Sequence, residues 1–241
     1  MADEEKVLYT GGNGLLGREL KKLLLKSFFP SHLEFDVLNY SQMEDFLHGK
    51  NIKTLVHGAA FTSPPRVDKN PIKALETNII GTSNVVRLCS QEGIRLVYIS
   101  TDYVFKGDQG NYSEEDPVFP VNKYAWSKLG GECAVRMYDN SLIVRTSFGE
   151  NQFPYEKAFI DQYTSRESVS TFARKLVEII GSDLKGTIHV GSPRRSVLEY
   201  ARSLGGSKVI DELSIHDVNF KVPEDTSLNC EKYRGLFGDK K

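Results

Sequence analysis

The sequence predicts an α/β fold, a doubly wound parallel sheet with a small C-terminal lobe, and three observations carry that expectation. Short runs rich in β-branched and aromatic residues alternate with amphipathic stretches along the 241 residues. The runs "KTLVHGAA", "IRLVYIST" and "SLIVRTS" are predominantly apolar instead of alternating strictly with polar residues. Glycines at positions 11, 14 and 17 mark the passage from the first apolar run into the first amphipathic one. Strands that are apolar on both faces must be covered on both, as in parallel sheets joined by helical crossovers.

The elements follow in order. "KVLY" at residues 6–9 is the first strand, and "LLGRELKKLLLK" the first helix, with Leu16, Leu20, Leu23 and Leu24 on one face. "SFFPSHLEFDVLNYSQ" has room for a short second strand ending at Pro30 or Ser31, although the proline fits a central strand badly. "KTLVHGAA" is a strand ending near Gly58, and one long helix is expected from Pro71, a residue suited to the first helical position, to Glu92. "IRLVYIST" is the next strand, a helix runs from about Asn122 to Met137, and "SLIVRTS" is another buried strand. From Gly149 the alternation fades, leaving a helix at "SVSTFARKLVEII", a strand at "GTIHVG", a helix near "SVLEYARSL" and a polar tail. A chain of this length holds one sizeable core plus a lobe. The expected division is therefore a sheet domain over 1–149 and a shortened lobe over 150–241, interleaved across a soft boundary.

Composition narrows the function. With 31 Lys and Arg against 32 Asp and Glu there is no basic excess to attract nucleic acid, which is not an expected partner. The start "MADEEKVLYT" is acidic, unlike a secretory leader, and no apolar run approaches the roughly 20 residues of a membrane helix. A cytoplasmic protein with no membrane association is expected. Cys89, Cys133 and Cys230 are odd in number, far apart and without metal-ligand spacing, which fits a reducing compartment and no functional role.

In "VLYTGGNGLLGREL" the strand–turn–helix context gives each glycine a task. Gly11 permits the tight turn, Gly14 lets backbone approach a ligand, and Gly17 permits close packing of the helix on the sheet. The helix start then offers unpaired N–H groups and a partial positive charge to a pyrophosphate. Glycines at turns often serve only the turn, but the flanking strand and helix here favour a dinucleotide. "HGAA" at residues 57–60 reads on its own as small residues at the end of a buried strand.

"YAWSK" puts Tyr124 and Lys128 four apart, on one face of a predicted helix. Thr101 lies 23 residues upstream, at the end of a buried strand whose terminus faces the ligand crevice of a parallel sheet. A tyrosine with an ordinary pKa of about 10 needs a nearby cation to work as an acid–base group at neutral pH. Lys128 can supply that charge and also hydrogen-bond a cofactor ribose. In a carbonyl reduction Thr101 would hold the substrate oxygen while Tyr124 gives it a proton. The bland alternative, a surface tyrosine and lysine plus a strand-end threonine, is outweighed by the glycine loop in the right order and spacing.

Together "GGNGLLG", "STDYVF", "NYSEEDPVFPVNKYAWSKLGGE" and "IVRTS" resemble the dTDP-4-dehydrorhamnose reductases among the extended short-chain dehydrogenases/reductases. The resemblance runs from about Lys6 to Ser147, and "EDTSLNCEKYRGLF" is similar to that family's closing segment. It implies a Rossmann-type sheet, a nicotinamide cofactor, a nucleotide-linked 4-keto-6-deoxyhexose as substrate, and Thr101, Tyr124 and Lys128 as the catalytic set. It places the cofactor against Gly11, Asn13, Gly14, Leu15, Leu16, Gly17, Ser31, Asp36, Val37, Ala59, Ala60, Phe61 and Ser100, together with Tyr124 and Lys128. It places the substrate against Thr62, Thr101, Asp102, Tyr103 and Thr146. Asn78 is expected to be structural or to hold a water. Tyr103 follows Asp102 where the related sugar-nucleotide dehydratases would show a glutamate, which disfavours dehydration.

Three departures from the family pattern matter. "TSPPRVDKNP" replaces an acidic run linked to metal-assisted dimerisation, so no bound metal is expected, and a homodimer is left open. Ser31 falls where an acidic residue would bind the 2′-hydroxyl of NAD, and His32 is beside it, so NADPH is favoured with NADH as the alternative donor. The short lobe leaves the nucleotide base and the sugar undetermined, and Arg166, Arg194 and Arg195 are candidate phosphate ligands, with a solvated surface arginine the favoured reading for each. Two rival readings share the fold: an epimerase that retains NAD, and a regulatory subunit resembling the β subunit of methionine adenosyltransferase.

Overall fold

Five strands buried along most of their length form the central sheet in a computed structural model that describes residues 6–206, 209–218 and 222–238. They are β1 (Val7–Thr10), β2 (Thr54–His57), β3 (Arg95–Ile99), β4 (Ser141–Thr146) and β5 (Gly186–Val190), neighbours in that order. The β1–β2, β2–β3 and β3–β4 pairings are parallel. Every residue of β1, β3 and β4 is buried, as strands covered on both faces require. This is a Rossmann-type α/β fold.

The helices are α1 (Leu15–Leu23), α2 (Tyr40–Leu47), α3 (Pro64–Lys69), α4 (Pro71–Ala74), α5 (Gly81–Glu92), α6 (Lys123–Val135), α7 (Val169–Ile180), α8 (Val197–Ser203) and α9 (Glu231–Phe237). α6 begins where the sequence predicts, because the Asn122 side chain accepts from the Ala125 N–H at 2.8 Å and caps its first turn. Leu8, Met43, Leu55, Leu88, Leu96 and Ile143 pack into one core cluster, each almost wholly buried. Truncating any of these leucines to alanine would cost on the order of 2–5 kcal/mol.

Three elements differ from the sequence expectation. The short strand after α1 is reduced to a single bridge: Phe28 pairs with Leu8, its N–H donating to Val7 O at 2.9 Å and its carbonyl accepting from Tyr9 N at 2.8 Å. Pro30 has no N–H with which to prolong the ladder. The helix expected over 71–92 is interrupted by a π-helical turn, Leu75–Ile80, between α4 and α5. There the Gly81 N–H reaches Glu76 O, five residues back, and the Thr82 hydroxyl takes the Asn78 carbonyl at 2.8 Å. The strand at "GTIHVG", expected in the lobe, is β5 of the main sheet, with Ile188 and Val190 wholly buried.

The chain divides into two compact units. The first comprises residues 1–100, 122–144 and 173–187, and the second 101–121, 145–172 and 188–241. Residues 101–121 and 145–149, before the expected boundary, thus fall in the second unit, and 173–187 beyond it fall in the first. Among the described residues no helix is long and apolar enough to cross a membrane.

His57, at the end of β2, is wholly buried between two threonine hydroxyls, Thr10 Oγ1 at 2.8 Å from Nδ1 and Thr82 Oγ1 at 3.0 Å from Nε2. Burial, and then the charge of Lys128, push its pKa from 6.5 down to about 3. The folded state keeps His57 neutral while the unfolded chain takes up a proton, so stability is lost as pH falls below about 6.5 and through the interval down to about 3. In urea unfolding the His57 contribution to that loss should approach about 1.4 kcal/mol per pH unit. A His57→Gln variant should be less stable at pH 7 but show a correspondingly shallower decline.

Candidate active site

The glycine loop is built by close approach. Gly11 has φ +86°, and a Cβ there would lie 2.9 Å from the Ala59 nitrogen. A Cβ on Gly17 would lie 2.7 Å from the Gly11 oxygen and the Gly12 backbone, so α1 rests directly on the turn that precedes it. Gly14 is the N-cap of α1 and offers no side chain to the first turn, which leaves the N–H groups at the helix start for a ligand. Asn13 and Gly14 are exposed and Leu15 is half-buried, while Leu16 turns its side chain into the core. This cradle fits a pyrophosphate.

The loop after Phe28 is not without an acid. Ser31 donates from both N–H and Oγ to one carboxylate oxygen of Glu34, at 2.8 Å each, and these bonds hold the Glu34 pKa below its ordinary value. A turn, with Glu34 N and Phe35 N each 3.0 Å from Ser31 O, brings this carboxylate back to the position read from sequence as uncharged. Asp36 binds its own loop, accepting from Leu38 N at 2.9 Å. Val37 is buried, and a Cβ on Gly81 would lie 2.6 Å from its Cγ2, so its side chain belongs to the core.

A polar chain connects these loops to α6. Thr82 Oγ1 gives its proton to Asn78 O at 2.8 Å, so it accepts from His57 Nε2. With the imidazole proton on Nε2, Nδ1 accepts from Thr10 Oγ1, which itself accepts from Ala59 N at 3.2 Å. The Asn78 side chain accepts from Phe61 N at 2.7 Å and donates to Phe61 O at 3.0 Å and to Ser127 Oγ at 2.8 Å. Ser127 Oγ donates to Tyr124 O at 2.7 Å. Asn78 therefore locks the segment after Ala59 and Ala60 to the helix that carries Tyr124. Phe61 lies beneath the cations of Arg66 and Lys73, at 4.8 and 5.5 Å, and Thr62 is exposed.

On α6, Lys128 is 3% exposed. Its ammonium donates to Ile99 O at 2.7 Å and lies 4.1 Å from the centre of the Tyr98 ring. Burial lowers its pKa from 10.5 to about 7, against the upward pull of Glu132. Ser100, expected at the cofactor, donates its hydroxyl to Glu132 Oε1 at 2.5 Å. Tyr124 is half-buried, four residues before Lys128 and on the same helix face.

The second unit holds the other predicted residues. Thr101, directly after Ser100, accepts from Tyr103 N at 3.2 Å and donates to Asp102 Oδ1 at 3.1 Å. Asp102 Oδ2 accepts from Thr226 Oγ1 at 2.7 Å, and burial outweighs these bonds to raise the Asp102 pKa. Both oxygens of Asp102 are thus engaged inside the unit. Thr146 Oγ1 is buried with no hydrogen-bond partner among the described residues, a hydroxyl available to a ligand or water. A cavity of about 710 Å³ is lined by Tyr103, Phe153, Tyr155, Gln162 and Arg166 among others. Arg166 also donates from Nε to Ser147 Oγ at 3.2 Å. Arg194, though exposed, pairs with Asp225 at 2.6 Å, and Arg195 donates to Ser203 Oγ and Arg166 O at 2.9 Å each.

Three residues of these sites escaped the sequence reading, Glu34, Glu132 and Thr226, while Arg166, read there as a solvated surface arginine, is half-buried in the cavity lining. Glu132 had a local signal, since it stands four after Lys128 on the same helix face. Thr226 had none, because 124 residues separate it from Asp102.

Known proteins resemble this chain in sequence and fold. A structure described as a hypothetical dTDP-4-dehydrorhamnose reductase from Sulfolobus tokodaii aligns with a TM-score of 0.84 and 29% identity over 98% of this chain and 96% of that one. A dTDP-4-dehydrorhamnose reductase from Bacillus anthracis, in complex with NADP, gives 0.86 and 27% over 96% and 92%. Methionine adenosyltransferase 2 subunit beta of Pongo abelii is 26% identical over 96% of this chain and 82% of that protein. A profile of the RmlD substrate binding domain matches residues 5–199, most of the sequence, and the chain belongs to that family.

Proposed function

We propose that this chain is an NADPH-dependent oxidoreductase that reduces a nucleotide-linked 4-keto-6-deoxyhexose. The observation that carries this reading is the buried Lys128 on the face of α6 that bears Tyr124, tied through Ser127 and Asn78 to the loops beside the glycine cradle. Gly11, Gly14 and Gly17 would hold the pyrophosphate at the start of α1. NADPH held there would supply the hydride for the ketone carbon. Tyr124 gives its phenolic proton to the ketone oxygen as negative charge develops there, and the Lys128 ammonium stabilises the phenolate left behind. Thr101 is assigned to the same oxygen, and to donate to it the hydroxyl would turn its proton away from Asp102 Oδ1. The product is the corresponding alcohol, and Tyr124 regains its proton from solvent.

The neighbour with NADP bound supports the cofactor, and the aromatic cavity with Arg166 offers the second unit's surface to a nucleotide sugar. A cytoplasmic setting is part of the proposal, supported by the absence of any disulfide among Cys89, Cys133 and Cys230. One specific observation favours a second reading. The methionine adenosyltransferase β subunits match 96% of the chain, which fits a protein that keeps the dinucleotide site and acts through a partner.

NADPH oxidation against a panel of dTDP-, UDP- and GDP-linked 4-keto-6-deoxysugars tests the leading reading. Turnover with one donor is expected, and NADPH binding without turnover on any donor would favour the subunit reading. Tyr124→Phe should lower kcat by roughly 10²–10⁴-fold while leaving NADPH affinity nearly unchanged. Glu34→Gln, which removes the charge held by Ser31, should raise the preference for NADPH over NADH by roughly fivefold, the effect of one close charge pair in water.

A further inference from the structure

Glu132 is wholly buried on α6, yet the proton-transfer scheme above gives it no part. A carboxylate removed from water stays charged only if hydrogen bonds or an opposite charge compensate. Glu132 has both within the first unit. Ser100 Oγ donates to it at 2.5 Å, and Lys128 lies one turn earlier on the same face of the helix. The helix is pressed hard against the sheet here, because Gly131 has no Cβ; one at that position would collide with the Tyr98 hydroxyl and lie 2.8 Å from Asn78 O. That close approach sets Lys128 and Glu132 against β3 with little water between.

We propose that Glu132 is a positioning residue for proton transfer, whose carboxylate, fixed by Ser100, keeps the Lys128 ammonium charged and acts on Tyr124 through it. The proposal rests on reading Lys128 as the cation that serves Tyr124. The other groups around Lys128 cannot do this task. From β3 come the Tyr98 ring, whose hydroxyl is kept neutral by burial, and the Ile99 carbonyl. From β2 comes His57, which is neutral at physiological pH and whose protonation Lys128 opposes. From its own helix come Tyr124 and Glu132, and Glu132 is the one that pulls the Lys128 pKa upward. Burial has already brought that pKa to about 7, so the loss of one favourable charge decides which form prevails at neutral pH.

Glu132→Gln keeps the shape of the side chain and an acceptor for Ser100 but removes the charge. Side-chain NMR should follow the Lys128 titration in the cofactor-free protein, assigned with Lys128→Met, alongside the pH dependence of kcat/KM. In Glu132→Gln the Lys128 titration should fall by at least about one pH unit, and the alkaline limb of kcat/KM should move to lower pH by the same amount. At pH values below the new midpoint the rate should recover towards that of the unmodified protein, KM should change little, and Glu132→Asp should restore part of the shift. An unmoved Lys128 titration, or a rate lowered equally at every pH, would overturn the proposal. If Glu132→Gln does not fold, Ser100→Ala serves instead: it removes the bond that fixes the carboxylate in place and should move the Lys128 titration in the same direction, and an unmoved titration there overturns the proposal too. A shifted titration without turnover on any sugar donor leaves the charge coupling standing and overturns the reductase reading.

Discussion

The first unit is organised by the need to satisfy buried polar groups at the ends of β1, β2 and β3. Thr10, His57, Thr82, Asn78 and Ser127 form one chain of hydrogen bonds in which each donor finds an acceptor. Leaving a buried donor or acceptor unpaired costs about 1–3 kcal/mol, so no member can be removed in isolation. The π turn at Leu75–Ile80 belongs to the same arrangement. It carries Asn78, whose amide is spent on the Phe61 backbone and on Ser127. The fold thereby fixes the loop after β2 and the helix bearing Tyr124 with one side chain.

Charge is handled by the same economy of space. Lys128 is buried against Tyr98 and the Ile99 carbonyl, where desolvation brings its pKa close to neutrality instead of leaving it permanently protonated. A lysine in that condition responds to each nearby charge. Glu132 raises its protonation, while His57 stays neutral because burial, and Lys128 itself, oppose a second positive charge. The residues around Tyr124 thus set an electrostatic state as well as a geometry.

The second unit draws its cohesion from residues far apart in the chain. The segment near residue 226 pairs with the loop after residue 107: Asp225 N donates to Gly107 O, Tyr112 N to Ser227 O, and Asn229 N to Tyr112 O. Thr226 completes this by donating to Asp102, which in turn accepts from Thr101. The Thr101 hydroxyl is thus oriented by a carboxylate that a distant part of the sequence holds in place. Thr146, by contrast, keeps a buried hydroxyl without a partner, the condition expected of a group that meets its partner in a ligand or water.

Periodicity and local chemistry in the sequence determined the parallel sheet, the glycine turn into α1, the start of α6 near Asn122 and the shared face of Tyr124 and Lys128. Each of these depends on residues within a few positions of one another, so the local pattern contains the physics. Pro30 already told against a full strand there, and the structure leaves one bridge. Tertiary structure decided the rest: the π turn interrupted a helix whose local pattern was continuous. Glu34 returned a carboxylate to Ser31 by a turn that the spacing left open, and β5 joined the main sheet because its apolar residues had an open edge beside β4 to cover. Burial at Lys128 and the pairing of Thr226 with Asp102 join segments distant in the chain. Such pairings depend on which surfaces meet after folding, and no local pattern encodes that.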